Sequence, residues 1–257
     1  MVALVSRIAS FLLFGTLFVI LWTLLDVYFG LGIWEGDNYN IFLAPFLMMT
    51  YLLFIFPDMR KDFFSRFVLT NEWHKVICYP ILVATFCAFF INGIRFLPLL
   101  WGGEIVGVGS GQYVNDGTLS RLGELLMISI LPTFSEELLV HYMPYGGLFL
   151  FLNMLLDDTV VGNRRKYRMH QRIEKFMDAL FVRRDKRYLL TWLILISTGF
   201  SLMHEPTAES FPLYFIVGFI DGVFFLRYGF LAAWISHGVF NAFSGIAWEM
   251  IRVLFFK

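Results

Sequence analysis

The sequence is short of charge and of cysteine. Asp, Glu, Lys and Arg make up 16% of its 257 residues, and the formal net charge is zero. Soluble domains carry about a quarter charged residues, so this share argues against one. The balanced charge leaves no spare basic face, which argues against a nucleic-acid partner. The two cysteines, Cys78 and Cys87, lie nine residues apart in one apolar run. That is too few for a disulfide framework and is not metal-ligand spacing, so both are read as core. Several catalytic signatures are missing as well. HExxH fails in "HEPTA", where Ala208 replaces the second histidine, and GxGD fails in "GFID", where Ile220 replaces the second glycine. GxSG fails in "GVGSGQ" at Val108. No phosphate-cradling Gly-Lys-Ser, dinucleotide fingerprint, repeat or low-complexity tract occurs, and residues 1–257 read as a single domain.

What is abundant is apolar. Hydrophobic residues reach 58%, with 31 phenylalanines, and the mean hydropathy is +0.70. A bilayer crossing takes about 20 helical residues. Seven runs approach that length: Ile8–Gly30, Ile41–Phe56, Val76–Leu100, Leu122–Leu139, Leu189–Met203, Phe211–Leu226 and Leu231–Phe256. The first is too long for a signal-peptide core and reads as a retained span. A break at Met143–Gly147 would split the fourth, continued to Leu156, and make eight. The expected fold class is therefore all-α, a polytopic integral membrane bundle of seven or eight transmembrane helices.

Basic residues give the orientation. The loop Asp157–Arg187 holds half of the Lys and Arg, and Phe56–Lys75 adds four more. The loops "LGIWEGDNYN" and "GGEIVGVGSGQYVNDGTL" hold none. The positive-inside rule then places the basic loops and the N-terminus in the cytoplasm. Within residues 157–187, Met169, Ile173, Phe176, Met177, Leu180 and Phe181 recur at helical spacing. Two readings stay open there: a helix on the inner membrane surface, or a short soluble helical hairpin.

Ionisable groups in hydrocarbon cost at least about 2.5–3.5 kcal/mol each, so each needs a reason. Asp26, Glu124 and Glu249 lie near expected interfaces, and Arg95 can snorkel outward. Asp221 falls between Gly218 and Gly222, whose GxxxG spacing suits helix contact, and is read as structural. The others cluster by spacing. His237 and Asn241 in "HGVFN" are four apart and share a helix face, as are Phe200 and His204 in "FSLMH". Glu136 and Glu137 project about 100° apart. A lone membrane His or Asn is as often interhelical glue as chemistry. Together these side chains make a hydrolytic inventory: a carboxylate base, imidazoles to hold water or metal, and an amide for an oxyanion.

"EELLVH", "FSLMH" and "HGVFN", in this order on successive apolar segments, resemble the CPBP family of intramembrane proteases, which includes the CAAX-protease, Abi and Rce1-type prenyl-protein endopeptidases. The family pattern is EExxxR, FxxxH, HxxxN, and the resemblance covers 122–243. It implies that Glu136 activates water, that Glu137 orients its neighbours, and that His204 and His237 position the water or bind a metal. Asn241 would hold the oxyanion. His141 stands where the family has arginine, and Phe200 supports His204. A zinc set of Glu136, His204 and His237 and a metal-free glutamate mechanism both remain open.

The function implied is an intramembrane endopeptidase, a peptide hydrolase. Its substrates would be membrane-anchored or lipidated, prenylated C-terminal tails among them, and its surroundings membrane lipids in a prokaryotic plasma membrane. The alternative is a non-catalytic scaffold of the same family, an immunity or regulatory factor. A metal transporter fits less well, because no broken-helix repeat symmetry is present.

Overall fold

A computed structural model describes residues 2–32, 53, 56–108, 120–147, 149–150 and 164–255, and eight α-helices are bounded among these described residues. They are α1 (Val2–Phe29), α2 (Pro57–Phe67), α3 (Tyr79–Phe96), α4 (Arg121–Glu137), α5 (Arg164–Met177), α6 (Lys186–Met203), α7 (Phe211–Tyr228) and α8 (Phe230–Phe255). Among the described residues there is no strand, so the all-α expectation holds. Three stretches are long and apolar enough to cross a membrane: His74–Trp101, which includes α3, then α7 and α8. Among the described residues, three of the seven or eight expected spans meet the test. The run Ile41–Phe56 lies almost wholly outside the described residues. The runs Ile8–Gly30, Leu122–Leu139 and Leu189–Met203 fall on helices α1, α4 and α6, and α1 is largely apolar along its 28 residues.

Local sequence sets the helix ends. Pro57 and Asp58 open α2, where a missing N–H costs nothing and a negative charge meets the positive end of the helix dipole. Ser120 accepts the Gly123 N–H at 3.0 Å to cap α4, and Asp185 accepts the Arg187 N–H to cap α6. Gly229 separates α7 from α8 at φ +99°, a conformation that L side chains rarely adopt. A Cβ there would also collide with the Arg66 and Phe67 carbonyls, so the turn requires glycine.

The expected break at Met143–Gly147 is absent. The chain stays helical from α4 through Gly147, but residues Leu138–Gly147 are wound as a π-helix containing Pro144. Proline has no N–H to give the preceding turn, and π-winding of this kind recurs at functional sites. The Tyr142 hydroxyl donates to the Met59 carbonyl at 2.6 Å, tying this segment to α2.

Helix α8 is the hub, packed against α3, α4 and α7. Gly238 lets it approach α4 so closely that a Cβ would strike the Ser129 carbonyl. Phe63, Tyr142, Phe134, Phe230 and Trp234 form an edge-to-face chain across α2, α4 and α8, with centroids 4.9–5.2 Å apart. Each such pair adds about 0.5–1.5 kcal/mol beyond area burial. Arg95, read from sequence as able to snorkel outward, is half-buried at the end of α3. It lies 4.4 Å over the Trp248 ring and donates to the Val106 carbonyl and to Asn92 Oδ1.

Candidate active site

The last turn of α4 sends Glu137 into the protein, with no exposed side-chain surface. A buried carboxylate requires partners, and it has two. Oε2 accepts from His141 Nδ1 at 2.7 Å, and Oε1 accepts from His237 Nδ1 at 2.9 Å. The first partner lies four residues along the same helical path and the second comes from α8, so Glu137 joins the two segments.

His141 also points Nε2 at the Gly218 carbonyl, 3.2 Å away. Carboxylate and carbonyl oxygens are both acceptors, so both ring nitrogens donate. A ring placed to donate from both nitrogens suits the imidazolium. His141 thus offers Glu137 one donor and the Gly218 carbonyl the other, where the arginine of the family pattern could fork two donors onto one carboxylate. The small residues of α7 make room for the imidazole. A Cβ on Gly222 would meet Leu193 and His141 Nε2, and one on Gly218 would meet the Phe200 ring. The GxxxG spacing therefore seats two site residues as well as packing helices.

His237 is fixed by its Nδ1 hydrogen bond, which leaves Nε2 free to accept. This nitrogen faces Glu136 Oε2 at 3.4 Å. Glu136 differs from its neighbour: its side chain is 30% exposed, and Oε2 makes no hydrogen bond among the described residues. Two adjacent glutamates thus occupy different environments, one wholly buried and paired, the other partly exposed but with its Oε2 covered and without a hydrogen bond. Asn241 follows one turn after His237 on α8, half-buried.

His204 caps the C-terminus of α6. Its Nδ1 donates to the Phe200 carbonyl at 2.9 Å, and its ring stacks on Tyr214 at 4.6 Å. From depth along the helices, His204 and His237 would seem too far apart to meet, and Phe200 bridges that offset. Its ring packs against both imidazoles, at 4.7 Å and 5.5 Å between centroids.

Asp221, read from sequence as structural, lies beside the site. It is 1% exposed, its Oδ2 has no partner, and it stands with Glu137 and His237 as a trio whose ligand atoms lie within 4.8 Å of one another. Its burial between two glycines on an apolar helix was the available signal, and GxxxG packing accounted for it too readily. Among the described residues this trio is the only such group, and Glu136, His204 and His237 do not form one. The trio as placed is hydrogen-bonded, since the His237 nitrogen facing Glu137 carries a proton and both Glu137 oxygens are engaged.

No curated protein and no solved structure matches the chain. Residues 118–243 do match a family model, described as type II CAAX prenyl endopeptidase Rce1-like. The matched segment runs from just before α4 to within α8, and so contains Glu136, Glu137, His141, Phe200, His204, Asp221, His237 and Asn241. Residues 118–243, just under half of the chain, are therefore an Rce1-like segment of the type II CAAX prenyl endopeptidase kind.

Proposed function

We propose that the chain is an intramembrane endopeptidase in which Glu136 is the general base. The observation that carries this reading is the pair formed by Glu136 Oε2 and His237 Nε2, two acceptors 3.4 Å apart, one of them without a hydrogen bond. A water admitted beside them, once the side chains that cover Oε2 give way, donates one O–H to each. Glu136 takes its proton as the oxygen attacks the peptide carbonyl, and the negative charge moves to the carbonyl oxygen, which Asn241 Nδ2 stabilises. Collapse of this intermediate breaks the C–N bond, and Glu136 returns the proton to the departing amine. Glu137, braced by His141, keeps the proton of His237 on Nδ1 and the acceptor on Nε2.

A metal at Glu136, His204 and His237 would supply Lewis-acid polarisation and a more acidic water. These residues are of the right kind but are not gathered as ligands, so the mechanism is drawn from side chains alone.

The substrate class is a lipidated or membrane-embedded peptide. An apolar cavity of about 450 Å³ lies between the π-wound segment and α6, lined by Leu139, Pro144, Trp192, Gly199 and Phe200. Phe200 ends it beside both histidines, so a hydrocarbon chain in the cavity would lie next to the reacting carbonyl. The test is incubation of purified protein with a prenylated peptide in ¹⁸O-labelled water, with and without chelator. One labelled oxygen in the new carboxyl terminus, with rate unchanged by chelator, is the expected result. No cleavage of prenylated or other membrane peptides would refute the reading.

A further inference from the structure

A second cavity, of about 610 Å³, opens where α2, α6 and α7 end together. Four cations line it: Arg66 from the last turn of α2, Arg184 from the turn before α6, Lys186 from the first turn of α6, and Arg227 from the last turn of α7. Among the described residues no carboxylate lines it. Arg66 is paired with Asp62 at 2.9 Å, at the cavity's edge. Arg184, Lys186 and Arg227 are exposed and, among the described residues, make no ion pair. Like charges brought together from three helices repel one another unless an anion joins them. Arg184 is held there at φ +49°, a left-handed conformation that arginine seldom adopts.

The rest of the wall is largely apolar, with Leu69, Leu189 and Val223 among its residues. Arg227 lies at the end of α7, a helix able to cross a membrane, and at the basic side that the positive-inside rule puts in the cytoplasm. A guanidinium fork matches phosphate oxygens, and basic pockets between membrane helices suit anionic headgroups. A free anion would use the cations but leave the apolar wall idle.

We propose that this cavity binds the phosphate headgroup of an anionic membrane phospholipid, with acyl chain against Leu189 and Val223. The Phe225 ring lines the same cavity and lies 6.2 Å from the His141 ring, so the lipid would sit one side chain away from the Glu137 cluster.

Native mass spectrometry of the full chain, released from detergent with phosphatidylglycerol or phosphatidylcholine, tests this. Wild type should retain phosphatidylglycerol in preference to phosphatidylcholine. Each cation removed should weaken retention about fivefold, so R184Q/K186Q/R227Q should lose about a hundredfold. The exposed set K61Q/R172Q/K175Q, away from the cavity, should retain the lipid as wild type does, and inorganic phosphate at matched ionic strength should not displace it. If the triple variant does not fold, R184Q and R227Q singly carry the same expectation.

Equal retention of the two lipids, or equal loss in the control set, would overturn the proposal in favour of diffuse surface charge. Complete displacement by inorganic phosphate would make a free anion the ligand. Undiminished lipid retention by the triple variant, with a raised KM for peptide, would assign the cavity to the peptide carboxylate. The lipid-retention readouts do not require the protease reading to be right; only the KM comparison does.

Discussion

Glu137 and His237, 100 residues apart in sequence, are joined by a 2.9 Å hydrogen bond buried between α4 and α8. The same carboxylate receives His141 at 2.7 Å, so one side chain fixes both the helix contact and the tautomer of the working imidazole. Glu137→Gln keeps the shape but presents an NH₂ to one of two N–H groups. Activity should fall about 10–100-fold, mostly in kcat, as for partners that orient a working histidine. Steady-state kinetics on a prenylated peptide would check it, and a change confined to KM would contradict the orienting role.

His141 should behave as a buried cation. In ¹⁵N-histidine spectra of the purified protein, one ring should show two protonated nitrogens at neutral pH and should disappear in His141→Gln. His141→Leu leaves the Glu137 charge without one of its two partners, at a cost of roughly 3–5 kcal/mol for a broken buried pair. It should unfold at markedly lower temperature. His141→Arg restores the family residue, but α7 approaches through glycine against the imidazole, so arginine should fit only with movement of Leu193.

Adding a methyl at Gly222 places a Cβ against Leu193 and His141 Nε2, and at Gly218 against the Phe200 ring. Overpacking costs about 1–3 kcal/mol. Gly218→Ala and Gly222→Ala should therefore lower both thermal stability and activity. Gly93→Ala on α3, where a Cβ meets nothing within 4 Å, should lower neither.

Asp221 tests whether a buried, partly unpaired acid is retained for function. Its Oδ2 is buried without a hydrogen-bond partner. An unmet buried polar atom costs about 1–3 kcal/mol. Asp221→Asn should leave the unfolding temperature level or raise it, while activity drops through the disturbed surroundings of His237. A variant that unfolds earlier but retains full activity would make Asp221 a purely structural residue.

The helical class and the residues of the site were legible because each rests on local pattern. Long apolar runs announce helices, and an i,i+4 spacing such as His237 and Asn241 needs no tertiary knowledge. What could not be read depends on contacts between distant segments. The division of labour between Glu136 and Glu137 follows from which of two adjacent side chains α8 covers. The double-donor role of His141 depends on a carbonyl in α7, 77 residues away. Asp221 carried its signal openly, but a helix-packing motif offered a complete local explanation. Hydropathy alone does not distinguish a crossing from a buried site helix such as α4, which carries Glu136 and Glu137.

The central claim is that Glu136 takes the proton from the attacking water. The most direct measurement is kcat for peptide cleavage by Glu136→Gln, set beside wild type and His237→Ala, all shown to be folded by thermal unfolding. Loss of a positioned general base costs about 10²–10⁴-fold. A fall of that size in both variants, with KM little changed, is the expected result. Cleavage by Glu136→Gln at the wild-type rate would contradict the mechanism.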